Sequence, residues 1–149
     1  AQCIPTGELR AVDGTVFDFR MGRIVGEGAR CGDEPQIAIG PGYDHNFVLD
    51  KGQSAEPQLA AVLEDLASGR RLEVLTTEPG IQLYTANGYD GRNPGKGGCL
   101  YRMGDGIALE PQKFPDTPNR PQFGSARLDP GQTYHHTMIY RLSAHRQPR

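Results

Sequence analysis

The sequence predicts an all-β fold, and three observations carry that expectation. Glycine and proline are abundant, with 20 and 12 of the 149 residues, and they are spread along the chain rather than gathered in one linker. They recur every few residues, which keeps any helix short and matches the turn spacing of an antiparallel sandwich. The apolar runs between them are short, and several alternate with polar residues at the period of a strand. The length fits one domain or a piece of a larger one. A hydrophobic share of 36% supports a core, though not a generous one.

Taken in order, residues 15–20 (TVFDFR) put Phe17 and Phe19 on one face of an expected strand and Val16 and Asp18 on the other. Residues 37–39 form a second short apolar run, ended by the turn Gly40-Pro41-Gly42. Residues 46–49 follow as a strand closed by Asp50-Lys51-Gly52. Residues 58–66 (QLAAVLEDL) suit either period: Leu59, Val62, Leu63 and Leu66 have helical spacing, and Pro57 suits a first helical position. The turn Ser68-Gly69-Arg70 into the Thr- and Val-rich residues 72–77 favours a hairpin. Residues 81–85 (IQLYT) alternate cleanly, placing Gln82 and Tyr84 together on the more polar face. Residues 87–98 read as a long Gly-rich loop, and its Gly95-Lys96-Gly97-Gly98 lacks the spacing of a phosphate-binding loop. Residues 107–110 make a brief strand stopped by Pro111, residues 114–121 an irregular loop, residues 133–142 a last long strand and residues 146–149 a frayed tail.

Several classes of function are excluded. Sixteen Lys and Arg against 18 Asp and Glu give a net charge of -2 with no basic cluster, so nucleic acid is not an expected partner. No run approaches the roughly 20 apolar residues of a membrane helix, and AQCIPTGELR has neither the basic region nor the apolar core of an export signal. Cys3, Cys31 and Cys99 lie far apart in no C-x-x-C spacing and read as reduced thiols of a cytoplasmic protein, although a processed periplasmic protein would suit the same sequence. The four histidines, His45, His135, His136 and His145, have no spacing that gathers imidazoles, so no metal is expected. A nucleophile elbow and a dinucleotide fingerprint are both missing, and no cofactor is expected.

Carboxylates and polar groups remain. Asp44 lies in Gly42-Tyr43-Asp44-His45-Asn46-Phe47, where a turn delivers a charge into an apolar strand. Glu110 ends an apolar run and is held extended by the proline that follows. Desolvation at the edge of apolar surface can raise the pKa of a carboxylate, as a general base needs. The plainer alternatives are that Asp44 caps a turn and that Glu110 makes a surface ion pair.

A resemblance weighs between these. Thr76-Thr77-Glu78-Pro79-Gly80-Ile81-Gln82-Leu83-Tyr84-Thr85, Gly95-Lys96-Gly97-Gly98, Leu109-Glu110-Pro111-Gln112 and Phe114-Pro115-Asp116-Thr117-Pro118-Asn119 are similar to segments of galactose mutarotases, the aldose 1-epimerase family. So are Pro5-Thr6-Gly7-Glu8, Phe17-Asp18-Phe19-Arg20, Gly42-Tyr43-Asp44-His45-Asn46-Phe47 and Leu128-Asp129-Pro130-Gly131-Gln132-Thr133-Tyr134. The blocks keep family order and spacing over the whole chain. The resemblance implies an antiparallel β-supersandwich, of which residues 1–149 are the C-terminal half of a single domain. Half of such a sandwich has unpaired strand edges and an uncovered inner face, so it needs the missing N-terminal half or another partner.

The resemblance also implies a chemistry: interconversion of the α and β anomers of hexopyranoses such as galactose and glucose by acid/base-catalysed ring opening, without cofactor. By motif match Glu110 is the base, and Asp44 and Gln82 hold sugar hydroxyls. The family's acid, a histidine, belongs to the N-terminal half and has no counterpart here. His45 reads as a structural neighbour of Asp44, and Tyr84 as packing at the rim of the cleft. The chain departs from the usual pattern at Pro111, where Thr is common, and at Gly124, where Pro is common; Pro111 removes one backbone donor beside the base. A non-catalytic carbohydrate-binding β-sandwich module is the alternative from another class. An epimerase of phosphorylated hexoses would use Arg92 and Lys96, two scattered cations that support it weakly.

Overall fold

The structure is a computed structural model that describes residues 3–145, so the tail expected at 146–149 lies outside the described residues. The described residues are built mainly from strands, with the short α-helices α1 (Val25–Gly28) and α2 (Pro35–Ile39) and a few single turns of 3-10 helix. The strands are β1 (Asp44–Val48), β2 (Gln58–Asp65), β3 (Arg70–Thr76), β4 (Gly80–Tyr84), β5 (Asp90–Pro94), β6 (Leu100–Arg102), β7 (Ala108–Gln112) and β8 (Met138–Ala144). They form three sheets, ordered β1-β4-β7, β2-β3-β8 and β5-β6. The β2-β3, β3-β8 and β5-β6 pairs are antiparallel, as the expected fold class requires. Contacts divide the chain into two units: residues up to His45 with Leu83–Ala108, and Asn46–Gln82 with the chain from Leu109 on.

In the first unit Tyr43 is fully buried and organises its surroundings. Its hydroxyl donates to the Val16 carbonyl at 2.6 Å, and the rings of Phe17 and Phe19 pack on it at 5.8 and 5.4 Å. Gly42 precedes it with φ +140, a conformation that side chains other than hydrogen strain to adopt. A Cβ there would stand 2.3 Å from Asn87 Oδ1 and 2.7 Å from Thr85 Oγ1. Those two side chains hold the turn: Asn87 Nδ2 donates to the carbonyls of Gly40 and Tyr43, and the Tyr43 amide donates to Thr85 Oγ1.

In the second unit β3 is the central strand of its sheet. Val74, fully buried, is opposite Ala61 on β2 and Tyr140 on β8. Leu59 and Ala61 flank a register shift in β2. Glu73 takes both Arg71 and Arg141 as partners, and Arg71 also pairs with Glu64. The outer strand β8 is exposed at every position, including Met138, Ile139, Tyr140 and Leu142.

Five local expectations change. Residues 15–20 are turns rather than a strand, because Thr15 Oγ1 donates to the Val12 carbonyl and accepts from the Phe17 amide, a local alternative to ladder pairing. The expected burial of Phe17 is nonetheless met. Residues 37–39 belong to α2, which Pro35 starts in its first turn and the Glu34 carboxylate caps by accepting from the Gln36 amide. The Gly-rich 87–98 stretch is not wholly loop: with Leu100–Arg102 it forms the β5-β6 hairpin, whose Tyr89 and Tyr101 rings lie 6.2 Å apart. Pro111 does not stop β7, because β7 is an edge strand of its sheet and an edge tolerates a missing donor. The last strand begins at Met138 rather than at residue 133, since the segment before it is drawn onto Glu78 by side-chain bonds. For residues 58–66 the strand reading holds, with β2 and β3 forming the expected hairpin.

Candidate functional site

Two of the three residues singled out from the sequence lie in the second unit, on neighbouring strands. Gln82 is on β4, where Ile81 and Leu83 are buried and Gln82 and Tyr84 are half-buried on the alternate positions. The period-two reading therefore found the less buried face of this strand. The Tyr84 hydroxyl accepts from the Gly88 amide at 2.8 Å and so serves the adjoining loop. Glu110 is on β7, exposed between the half-buried Leu109 and Pro111. Among the described residues it forms no ion pair, so the surface salt bridge weighed as its plainer role is not made. Tyr140 Oη donates to the Leu109 carbonyl at 3.2 Å and fixes the residue just before it.

Asp44 belongs to the first unit, as the exposed first residue of β1. Its amide donates to Nδ1 of His45 at 3.0 Å. The His45 ring packs on Phe17 at 4.8 Å and on Tyr43 at 6.4 Å, and burial lowers its pKa below the ordinary histidine value. That ring is thus anchored in the aromatic cluster under Asp44.

The start of β4 is fixed closely. A Cβ on Gly80 would stand 2.9 Å from Asn46 Oδ1 and 3.0 Å from Phe114 Cδ1, so only glycine lets these three segments approach as they do. Immediately before it, Glu78 is 1% exposed. Its Oε1 accepts from Tyr134 Oη at 2.6 Å and lies 2.9 Å from His136 Nδ1. Burial pushes the Glu78 carboxyl up, but the bonds from Tyr134 and His136 and the fields of His136 and Lys113 outweigh it, leaving the group below its ordinary value. The same bond, aided by burial, pushes the Tyr134 hydroxyl up to about 12. Sequence reasoning treated Glu78 only as part of a matched block. A usable signal was present: Tyr134 and His136 are two apart and share one side of an extended segment.

The arrangement defines an all-β protein that presents a carboxylate and an amide from adjacent strands, side chains suited to a hydroxyl-rich ligand. Comparison with known proteins narrows this. The pattern of the family described as aldose 1-epimerase matches residues 1–141, and the chain belongs to that family. Over 140 residues it is 44% identical to human galactose mutarotase and 43% identical to the mouse protein, covering 94% of this chain and 39% of each relative. It is 34% identical over 144 residues to an Escherichia coli aldose 1-epimerase, covering 95% of this chain and 40% of that one. An aldose epimerase homologue from C. elegans superposes with a TM-score of 0.79 at 30% identity, over 95% of this chain and 40% of that one. The chain therefore spans about two-fifths of the length of the relatives it matches.

Proposed function

We propose that these residues are the C-terminal part of a single-domain aldose 1-epimerase that interconverts the α and β anomers of hexopyranoses such as galactose and glucose. Glu110 takes the proton from the anomeric hydroxyl while an acid protonates the ring oxygen. The aldehyde rotates about its bond to C2, and the steps reverse on its other face. Asp44, as an ionised acceptor, and Gln82, which both donates and accepts, hold the remaining hydroxyls. The acid is assigned to a histidine outside these 149 residues, by resemblance alone. Three free thiols suit a reducing compartment, and the cytoplasm is the setting we assign. No described helix is long and apolar enough to cross a membrane.

The observation that supports the reading most is Glu110 itself: it stands in the matched segment Leu109-Glu110-Pro111-Gln112, on the strand beside Gln82, with no competing ion pair among the described residues. A second reading, a sugar-binding module without turnover, is favoured by the pairing of an amide and a carboxylate on adjacent strands, which binds hydroxyls without any proton transfer. Polarimetry of the full-length protein decides between them. Glu110→Gln should slow anomer interconversion by at least ~100-fold, the lower range for a positioned acid or base. Near-normal rates would reject the base assignment, and sugar binding by an unmutated protein that leaves mutarotation unaccelerated would favour the module.

A further inference from the structure

Glu78 is buried, charged and unused by the chemistry above, and its surroundings connect it to both Gln82 and Glu110 within the second unit. The corner that contains it is heavily pinned through its backbone. The Thr77 amide donates to the Thr137 carbonyl, the Leu49 amide to the Pro79 carbonyl and the Ser54 amide to the Thr77 carbonyl. Lys51 Nζ donates to the Glu78 carbonyl at 2.7 Å, and the Glu78 amide donates to Thr76 Oγ1 at 3.0 Å. These bonds would form equally well around a neutral side chain. What the carboxylate adds is Tyr134 and His136, two side chains fixed against the entry to β4 beyond the bonds that already tie Thr137 to Thr77.

From that corner, two routes reach the sugar-binding side chains. Along the chain, Pro79 and the tightly enclosed Gly80 lead straight into β4 and Gln82. Across it, Lys113 stands 5.8 Å over the Tyr134 ring and donates to the Ser125 carbonyl at 2.8 Å, fixing the chain three residues beyond Glu110. Phe114, the next residue, closes on Gly80. A buried carboxylate is a poor source of net stability, because an uncharged side chain of like shape serves packing as well, so a role in fixing one geometry accounts better for Glu78.

Resting on the mutarotase reading, we propose that Glu78 is a positioning residue: held by Tyr134 and His136, its carboxylate sets the placement of the strand that carries Gln82. It touches no sugar. It acts through Gln82, and its removal is felt as a misplaced amide.

The test is a double-mutant cycle in the full-length protein, with Glu78→Gln, Gln82→Ala and the combination, followed by polarimetry with α-galactose. Glu78→Gln should raise KM on the order of 10-fold with kcat changed less than about twofold, and in the Gln82→Ala background it should add less than about twofold. If the two side chains were not coupled, their effects would simply add. An equal effect in both backgrounds, or an unchanged KM in a folded Glu78→Gln protein, overturns the proposal and leaves Glu78 as a stabilising contact. Should Glu78→Gln fail to accumulate folded, Tyr134→Phe replaces it under the same criterion. A full-length protein that does not accelerate mutarotation refutes the enzyme reading instead. The cycle is then read as galactose Kd by calorimetry, where coupling supports the role of Glu78 and independence overturns it.

Discussion

Replacing Gly42 with alanine should be among the costliest single-methyl additions in the chain. Its φ of +140 lies where only glycine is comfortable, and forcing another residue there costs about 1 to 3 kcal/mol. The new methyl would stand 2.3 Å from Asn87 Oδ1 and 2.7 Å from Thr85 Oγ1, so one or both must move, an overpacking cost of about 1 to 3 kcal/mol more. Moving Asn87 also strains its bonds to the Gly40 and Tyr43 carbonyls, each worth about 1 kcal/mol. The combined loss is about 4 kcal/mol, allowing for partial relaxation. Urea unfolding of the full-length protein measures it. Gly26→Ala is the control, because it opens on free space in α1 and should cost nothing, adding up to about 1 kcal/mol of stability. If Gly42→Ala unfolds within about 1 kcal/mol of the unmutated protein, the account of this turn is wrong.

Two further outcomes follow from burial and charge. Because the Glu78 carboxyl sits below its ordinary 4.5 in the fold, the unfolded chain binds more protons in the window beneath that value. Its contribution is therefore complete above 4.5 and is lost as pH falls through the folded value, so stability measured down to roughly pH 3 should decline less steeply in Glu78→Gln. Parallel pH curves would contradict this. Val74→Ala, in the centre of the β2-β3-β8 sheet, should cost about 2 to 3 kcal/mol by thermal or urea unfolding, whereas Leu142→Ala, 78% exposed on β8, should cost less than ~0.5.

What the sequence disclosed and what it hid have physical causes. Alternation in residues 81–85 was decisive because one side of β4 is buried and the other less so, the condition under which a period of two is written into composition. The hairpin of β2 and β3 was legible from its turn chemistry even though half of its residues also fit a helix. Residues 15–20 misled because their aromatic alternation is real but is satisfied by packing on Tyr43 from a turn, with Thr15 bonding its own backbone. Pro111 misled because its effect depends on whether a strand is inner or outer, a property of sheet order that no local window contains. Of the site, Asp44 and Glu110 stood out as charges set against apolar runs, alternation justified the face of Gln82, and the roles of all three came only from matched segments. Glu78 was missed because its partners lie 56 and 58 residues away, and the two-residue spacing of Tyr134 and His136 does not say which residue they meet.

The outward side of β8 bears on how the molecule must be handled. Seven consecutive open positions, with Met138, Ile139, Tyr140 and Leu142 among them and, among the described residues, no strand paired beyond β8, make a template for any extended segment that drifts past. Prepared as these 149 residues alone, the polypeptide should stack edge to edge as its concentration rises. Light scattering against dilution would reveal that, and a lysine at Ile139 or Leu142 should suppress it.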